Sequence, residues 1–204
     1  MFNTLITSAL VASLLFSQRE ITPVAGQTGQ LVLEPVLASE TMDLSYRFQE
    51  PSVSEGFKAN ILISVGYLVK DGNIVLQPGE VFAFHKNLLP EFKNEKVITQ
   101  ESGFSVKDGY LYVGGLSGNG VCHLASLMNQ VASEAGLSVT AEVNHNFAQI
   151  PGIDKKYGTS IYFLPNGGNS SERQNLYIRN NKDFPVEFEF ELEGDLLSFK
   201  IVSL

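Results

Sequence analysis

Cysteine occurs once in the 204 residues, at Cys122, so no intramolecular disulfide can form. Basic residues are scarce too: 14 Lys and Arg stand against 22 Asp and Glu, a formal net charge of −8. A chain of that sign lacks the electrostatic footprint that holds a phosphate backbone, which argues against nucleic-acid binding. The apolar run from Leu5 to Phe16 is only 12 residues long, whereas a helical bilayer span needs about 20. Also missing are an internal repeat, a low-complexity tract, a G-x-G-x-x-G turn after a strand, a Walker loop and an H-E-x-x-H pair. What remains is 44% hydrophobic and 18% charged, a chain able to bury a core as one ordinary domain with a short extension.

The run 5–16 has the length of a secretory h-region, with small residues at Ala25-Gly26 beyond it. Residues 1–26 are therefore expected to be a signal peptide or N-terminal anchor, which places the protein outside the cytoplasm; an N-terminal core segment is the alternative. Membrane contact is expected only through that segment, if it stays uncleaved. Residues 27–40 continue a Pro- and Gly-punctuated linker, and the folded domain is expected over 41–204.

Within that domain, Leu44 to Phe48 alternates as a short strand. Ser52 and Glu55 fit a capping box ahead of a helical apolar face at Phe57, Ile61, Leu62, Val65, Leu68 and Val69. Val121, Leu124, Met128, Val131 and Ala135 recur at helical spacing, and Gly136 can close that second helix. Strands are predicted at 80–85, 96–99, 110–113, 138–143, 160–164, 175–179, 186–192 and 196–202, the last two joined by a turn at Glu193-Gly194-Asp195. The glutamates at 187, 189, 191 and 193 alternate with apolar residues and form the solvated face of a half-buried strand. The fold class is α+β, a mainly antiparallel sheet with two principal helices and Cys122 at the N-terminus of the second.

Four glycines among the seven residues 114–120 lead into Cys122. Free N–H groups and the dipole at a helix start stabilise an anion, so a lowered thiol pKa is expected there. The amides of Gly118, Gly120, Val121 and Cys122 are candidates for an oxyanion hole. A thiolate nucleophile needs a proton carrier. His145, beyond the helix and at the end of the next strand, is the best placed of three histidines, because a strand returning from a helix ends beside the helix start. Asp154, or Asn144 or Asn146, could orient it. His123 projects about 100° away from its neighbour Cys122; it and His85 are assigned to the substrate side. Two other readings stay open: a packing cysteine, and a zinc site from Cys122, His123, His85 and His145, whose spacing matches no standard ligand pattern.

The segments Pro78-Gly79-Glu80-Val81-Phe82-Ala83-Phe84-His85, Gly114 to Ser126 with Gly120-Val121-Cys122-His123, the later His145, and Asn175-Leu176-Tyr177-Ile178-Arg179-Asn180-Asn181 with Asp183-Phe184-Pro185-Val186 resemble, in that order, VanW-like domains over about Ser52 to Leu204. The family is named for a vancomycin-resistance gene cluster, and some members are L,D-transpeptidases that make 3-3 cross-links in peptidoglycan through the motif cysteine. The resemblance implies Cys122 as nucleophile, peptidoglycan stem peptides as partners and no metal or organic cofactor. A non-catalytic wall-binding domain on the same fold is the alternative. The family usually carries Gln where this chain has His123, Asn where it has His85, and Ser where it has Asn146.

Overall fold

The computed structural model describes residues 35–45, 48, 50–166 and 168–204. In chain order the elements are β1 (Val36–Asp43), α1 (Pro51–Leu68), β2 (Ile74–Leu76), β3 (Val81–Ala83), β4 (Val97–Thr99), β5 (Tyr112–Val113), β6 (Leu116–Ser117), α2 (Val121–Glu134), β7 (Ser138–Thr140), α3 (Asn169–Arg173), β8 (Tyr177–Arg179), β9 (Val186–Glu193) and β10 (Leu196–Ser203). One sheet runs β1-β10-β9-β2 and is antiparallel throughout. A second runs β4-β3-β8-β7, antiparallel except for the parallel pair β3–β4. β5 and β6 form a separate small hairpin. The α+β class is thus observed, with Cys122 in the first turn of α2. No helix among the described residues is long and apolar enough to cross a membrane.

The alternation along β9 does what a period of two must. Phe188 is fully buried and meets Phe82 and Phe199 edge-on at 5.8 and 5.5 Å. On the opposite face Glu189 takes an ion pair from Lys200 of β10 at 3.1 Å. The β9–β10 register pairs Glu193 with Leu196, so two residues make the turn. The first, Gly194, has φ 60°, the backbone that tight hairpins demand.

Several local expectations give way to tertiary partners. β1 begins at Val36, inside the stretch assigned to a linker, because its residues pair with β10 from Val36↔Val202 to Asp43↔Leu196. The strand expected at 44–48 therefore lies earlier. Leu44 is buried in the core, and its N–H donates to the Asp195 carbonyl at 2.8 Å. Residues 46, 47 and 1–34, with the expected signal or anchor, lie outside the described residues. The capping box at Ser52 and Glu55 does not form. Pro51 occupies the first turn of α1 with Glu50 as N-cap, a place where proline's missing N–H costs nothing, and the Ser52 hydroxyl turns back to the Glu50 carboxylate at 3.0 Å. The expected strand at 160–164 is an irregular segment. Its N–H groups go singly to separate partners: Ser160 to Val143 O, Tyr162 to Gln174 O and Leu164 to the Ser171 hydroxyl. β2 and β6, of three and two residues, are too short to leave a readable period.

α2 is the central helix. Its residues from His123 to Ala132 are all buried, and it ends where Gly136 adopts φ 70° and the Leu137 N–H reaches Ala132 O. α1 packs beside it and carries the β5–β6 hairpin. Gly56 leaves room for that hairpin, since a Cβ there would run into the Val113 side chain. One turn on, the buried Asn60 binds the hairpin's backbone: Nδ2 donates to Leu111 O (3.1 Å) and Asn119 O (2.9 Å), and Oδ1 accepts the Leu111 N–H (2.8 Å). Asn60→Ala strands one N–H and weakens two carbonyls, so it should cost about 2–4 kcal/mol. Urea unfolding should show a lower midpoint, and the Leu111 amide should lose protection against hydrogen exchange.

Candidate functional site

A cleft of about 490 Å³ opens where α1, β6 with the turn after it, the start of α2 and the segments 145–149 and 160–163 converge. Cys122 lines it, half-buried. Its Sγ accepts the Ile161 N–H at 3.3 Å and faces the Ile161 carbonyl at 3.6 Å. Burial pushes the thiol above its ordinary value, with the N–H groups of Ile161 and of Cys122 itself pulling the other way. The direction is the reverse of the lowering expected at a helix start. Desolvation of a thiolate outweighs the stabilisation from nearby N–H groups.

The segment that brings Ile161 to the sulfur is tied to α2 by side chains. Ser126 Oγ donates to Cys122 O at 2.7 Å and accepts the Thr159 N–H at 2.8 Å. Asn129 Nδ2 donates to Tyr157 O and Thr159 Oγ1 at 3.0 and 3.1 Å. None of these residues was singled out in the sequence. Ser126, four residues after Cys122 on the helix, carried the one available signal, since serine there can bond back to the i−4 carbonyl.

Of the three histidines, two line the cleft. His145 is 6% exposed, and its Nδ1 lies 3.2 Å from Ala148 O. With Nδ1 donating to that carbonyl, Nε2 carries the lone pair. His123 packs its ring against Phe57 (5.3 Å between centroids) and edge-on to His145 (5.8 Å). No hydrogen bond joins His145 to Cys122 among the described residues. Asp154 does not orient His145: its carboxylate caps the short turn Lys155–Tyr157, accepting the Lys156 N–H at 3.1 Å and pairing with Lys156 Nζ at 3.5 Å. The backbone carbonyl of Ala148 takes the orienting place. Asn144 donates instead to Lys155 O, and Asn146 is exposed.

His85 is outside the cleft. It is fully buried behind Phe104 and Phe163, and its Nε2 donates to Gln174 O at 3.0 Å while Nδ1 has no partner. Burial pulls its pKa down to about 4, so the ring is neutral. The oxyanion candidates divide. The Val121 N–H is spent on Gly118 O at 3.1 Å, and the Gly118 N–H reaches Leu111 O at 3.4 Å. The Gly120 N–H has no acceptor among the described residues, and the Cys122 N–H faces its own sulfur. Among those residues no group of three or more His, Cys, Asp or Glu is placed to hold a metal ion.

The family model described as VanW like protein matches residues 71–202. The chain belongs to the VanW family. No curated protein and no solved structure matches it. The matched stretch of the VanW domain carries Cys122, His123, His145 and the 157–163 segment, whereas α1, with the Phe57 wall of the cleft, lies before it.

Two outcomes follow for this VanW chain. The unfolded His85 titrates near 6.5 and the folded one near 4, so the unfolded state takes up the proton first and stability falls as pH drops through that window. The loss should approach about 3 kcal/mol by pH 4. His85→Asn should unfold more easily at pH 7, having lost the bond to Gln174, but show a shallower loss on acidification in denaturant titrations. Cys122, whose burial disfavours the thiolate, should react with iodoacetamide more slowly than free cysteine at pH 7. Its rate should still be rising with pH where that of free cysteine has levelled off.

Proposed function

We propose that this VanW domain acts outside the cytoplasm on peptidoglycan stem peptides as a cysteine acyltransferase of the L,D-transpeptidase type. The observation that carries the reading is that Cys122 and His145 open into one cleft beside the Gly120 amide, with His145 held by Ala148 so that Nε2 carries the lone pair. Membership of a vancomycin-resistance-associated, cell-wall-related family supports it. In this reading the thiolate forms as the Cys122 proton passes to His145 Nε2 with the peptide bound.

The Cys122 sulfur then bonds to the carbonyl carbon of the third stem residue, and the oxyanion forms towards the Gly120 N–H. The C–N bond to the terminal D-Ala breaks, and its amine leaves with the proton from His145 Nε2. A thioester remains. An amine of a second stem attacks it, the C–S bond breaks, Cys122 regains a proton, and a 3-3 peptide bond results. No metal or organic cofactor enters these steps.

A second reading, a non-catalytic domain that binds wall peptides, is favoured by the thiol's hydrogen bonds to Ile161 and its raised pKa. Intact mass after incubation with disaccharide-tetrapeptide separates the two. Acyl transfer predicts a covalent adduct or cross-linked dimer that is absent in Cys122→Ala and formed about 10²–10⁴-fold more slowly in His145→Ala. Asp154→Ala should leave it nearly unchanged. Saturable binding with no adduct would establish the binding domain instead.

A further inference from the structure

Three of the large apolar side chains that the described residues leave in water stand together at the cleft mouth. Phe147 is 81% exposed, Leu116 64% and Tyr162 45%, and all three line the cleft. Phe147 touches one neighbouring ring, the His145 imidazole, at 4.0 Å between centroids. Apolar side chains left exposed side by side around a cleft offer a contact surface for a ligand.

The polar groups around it are of one kind. Among the described residues the Gln149 amide and the Tyr162 hydroxyl make no protein hydrogen bond. Gln174 uses Oε1 to accept from Ser160 Oγ at 3.0 Å, leaving its amide hydrogens to the cleft. Asn119 uses Nδ2 on Val113 O, leaving Oδ1. No Lys, Arg, Asp or Glu lines the cleft among those residues. Flat apolar faces ringed by uncharged amides and hydroxyls complement a neutral ligand that has an apolar C–H face and equatorial hydroxyls or acetamides at its edge. That is the chemistry of a pyranose. A chain of net charge −8 adds a field that favours a neutral ligand over an anionic one.

We propose that the mouth of this cleft binds an N-acetylhexosamine of a glycan strand, stacked on Phe147 and Tyr162 and hydrogen-bonded by Gln149 and Gln174. The inference rests on the cell-wall reading above and names the part of the polymer that the rim recognises. A sugar held there presents its attached peptide to the cleft in which Cys122 lies.

The test is titration of the full chain with the β-1,4-linked tetramer of N-acetylglucosamine, which carries no peptide, followed by NMR or calorimetry. Binding is expected with a Kd of about 1 mM or tighter. Phe147→Ala and Tyr162→Ala should each weaken it by about 10-fold; both side chains are exposed enough to be removed without unfolding the chain, which circular dichroism verifies. Leu196→Ala, an exposed apolar residue that does not line the cleft, should leave it unchanged. Absence of binding at 10-fold the expected Kd, or binding that both aromatic variants retain in full, overturns the proposal. A parallel mass measurement with sugar-free tetrapeptide keeps the two readings apart. An adduct without tetramer binding removes the glycan site and leaves acyl transfer standing, whereas tetramer binding without an adduct does the reverse.

Discussion

At Gly120 the chain turns into α2 with φ 113° and passes so near α1 that a Cβ there would lie 2.7 Å from the Phe57 carbonyl oxygen. Only glycine satisfies both demands, the left-handed backbone and the missing side chain. That approach sets the start of α2, and with it the direction in which Cys122 and His123 leave the helix. It also fixes the space left for the β5–β6 hairpin, which Asn60 then holds by its backbone. Asn60 thus gives the backbone on either side of a glycine-rich turn fixed hydrogen-bond partners.

The opposite wall of the cleft is built differently. Residues 157–161 have no sheet to join, so Ser126 and Asn129 of α2 satisfy their polar groups. The result is a backbone strand of the wall laid along a helix, with the Ile161 N–H on the sulfur. Behind it, Gln174 O serves both the Tyr162 N–H and His85 Nε2, linking a buried, neutral histidine to the wall without bringing it into the cleft. His85 thus acts on the packing of the aromatic floor, against Phe104 and Phe163.

Electrostatics at Cys122 shows two general effects in competition. A helix N-terminus favours an anion by at most a couple of kcal/mol, while removal of a thiolate from water raises its pKa by more when few donors replace the lost hydration. Here two backbone N–H groups are the replacement, and desolvation prevails. The same logic governs Asp154, which goes to the nearest donors, Lys156 N–H and Nζ, rather than to a ring that already has a carbonyl partner in Ala148.

Much of the frame was legible along the chain. The apolar period of α2 with Gly136 at its end, the alternating strands β9 and β10 with their glycine turn, and the position of Cys122 in the first turn of a helix all follow from spacings of 3.6 and 2 and from the backbone freedom of glycine. These are short-range properties, and the sequence by itself determined them. Tertiary structure decided the rest: that residues 36–40 pair with β10 instead of forming a linker, that 160–164 spends its N–H groups on scattered partners, and that the thiol sits in a desolvated place. The β1 pairing joins Val36 to Val202 and the thiol's partner Ile161 lies 39 residues beyond it, while 160–164 draws on Val143, Ser171 and Gln174. Hydrogen-bond satisfaction and desolvation belong to the packed whole, and no local period encodes them.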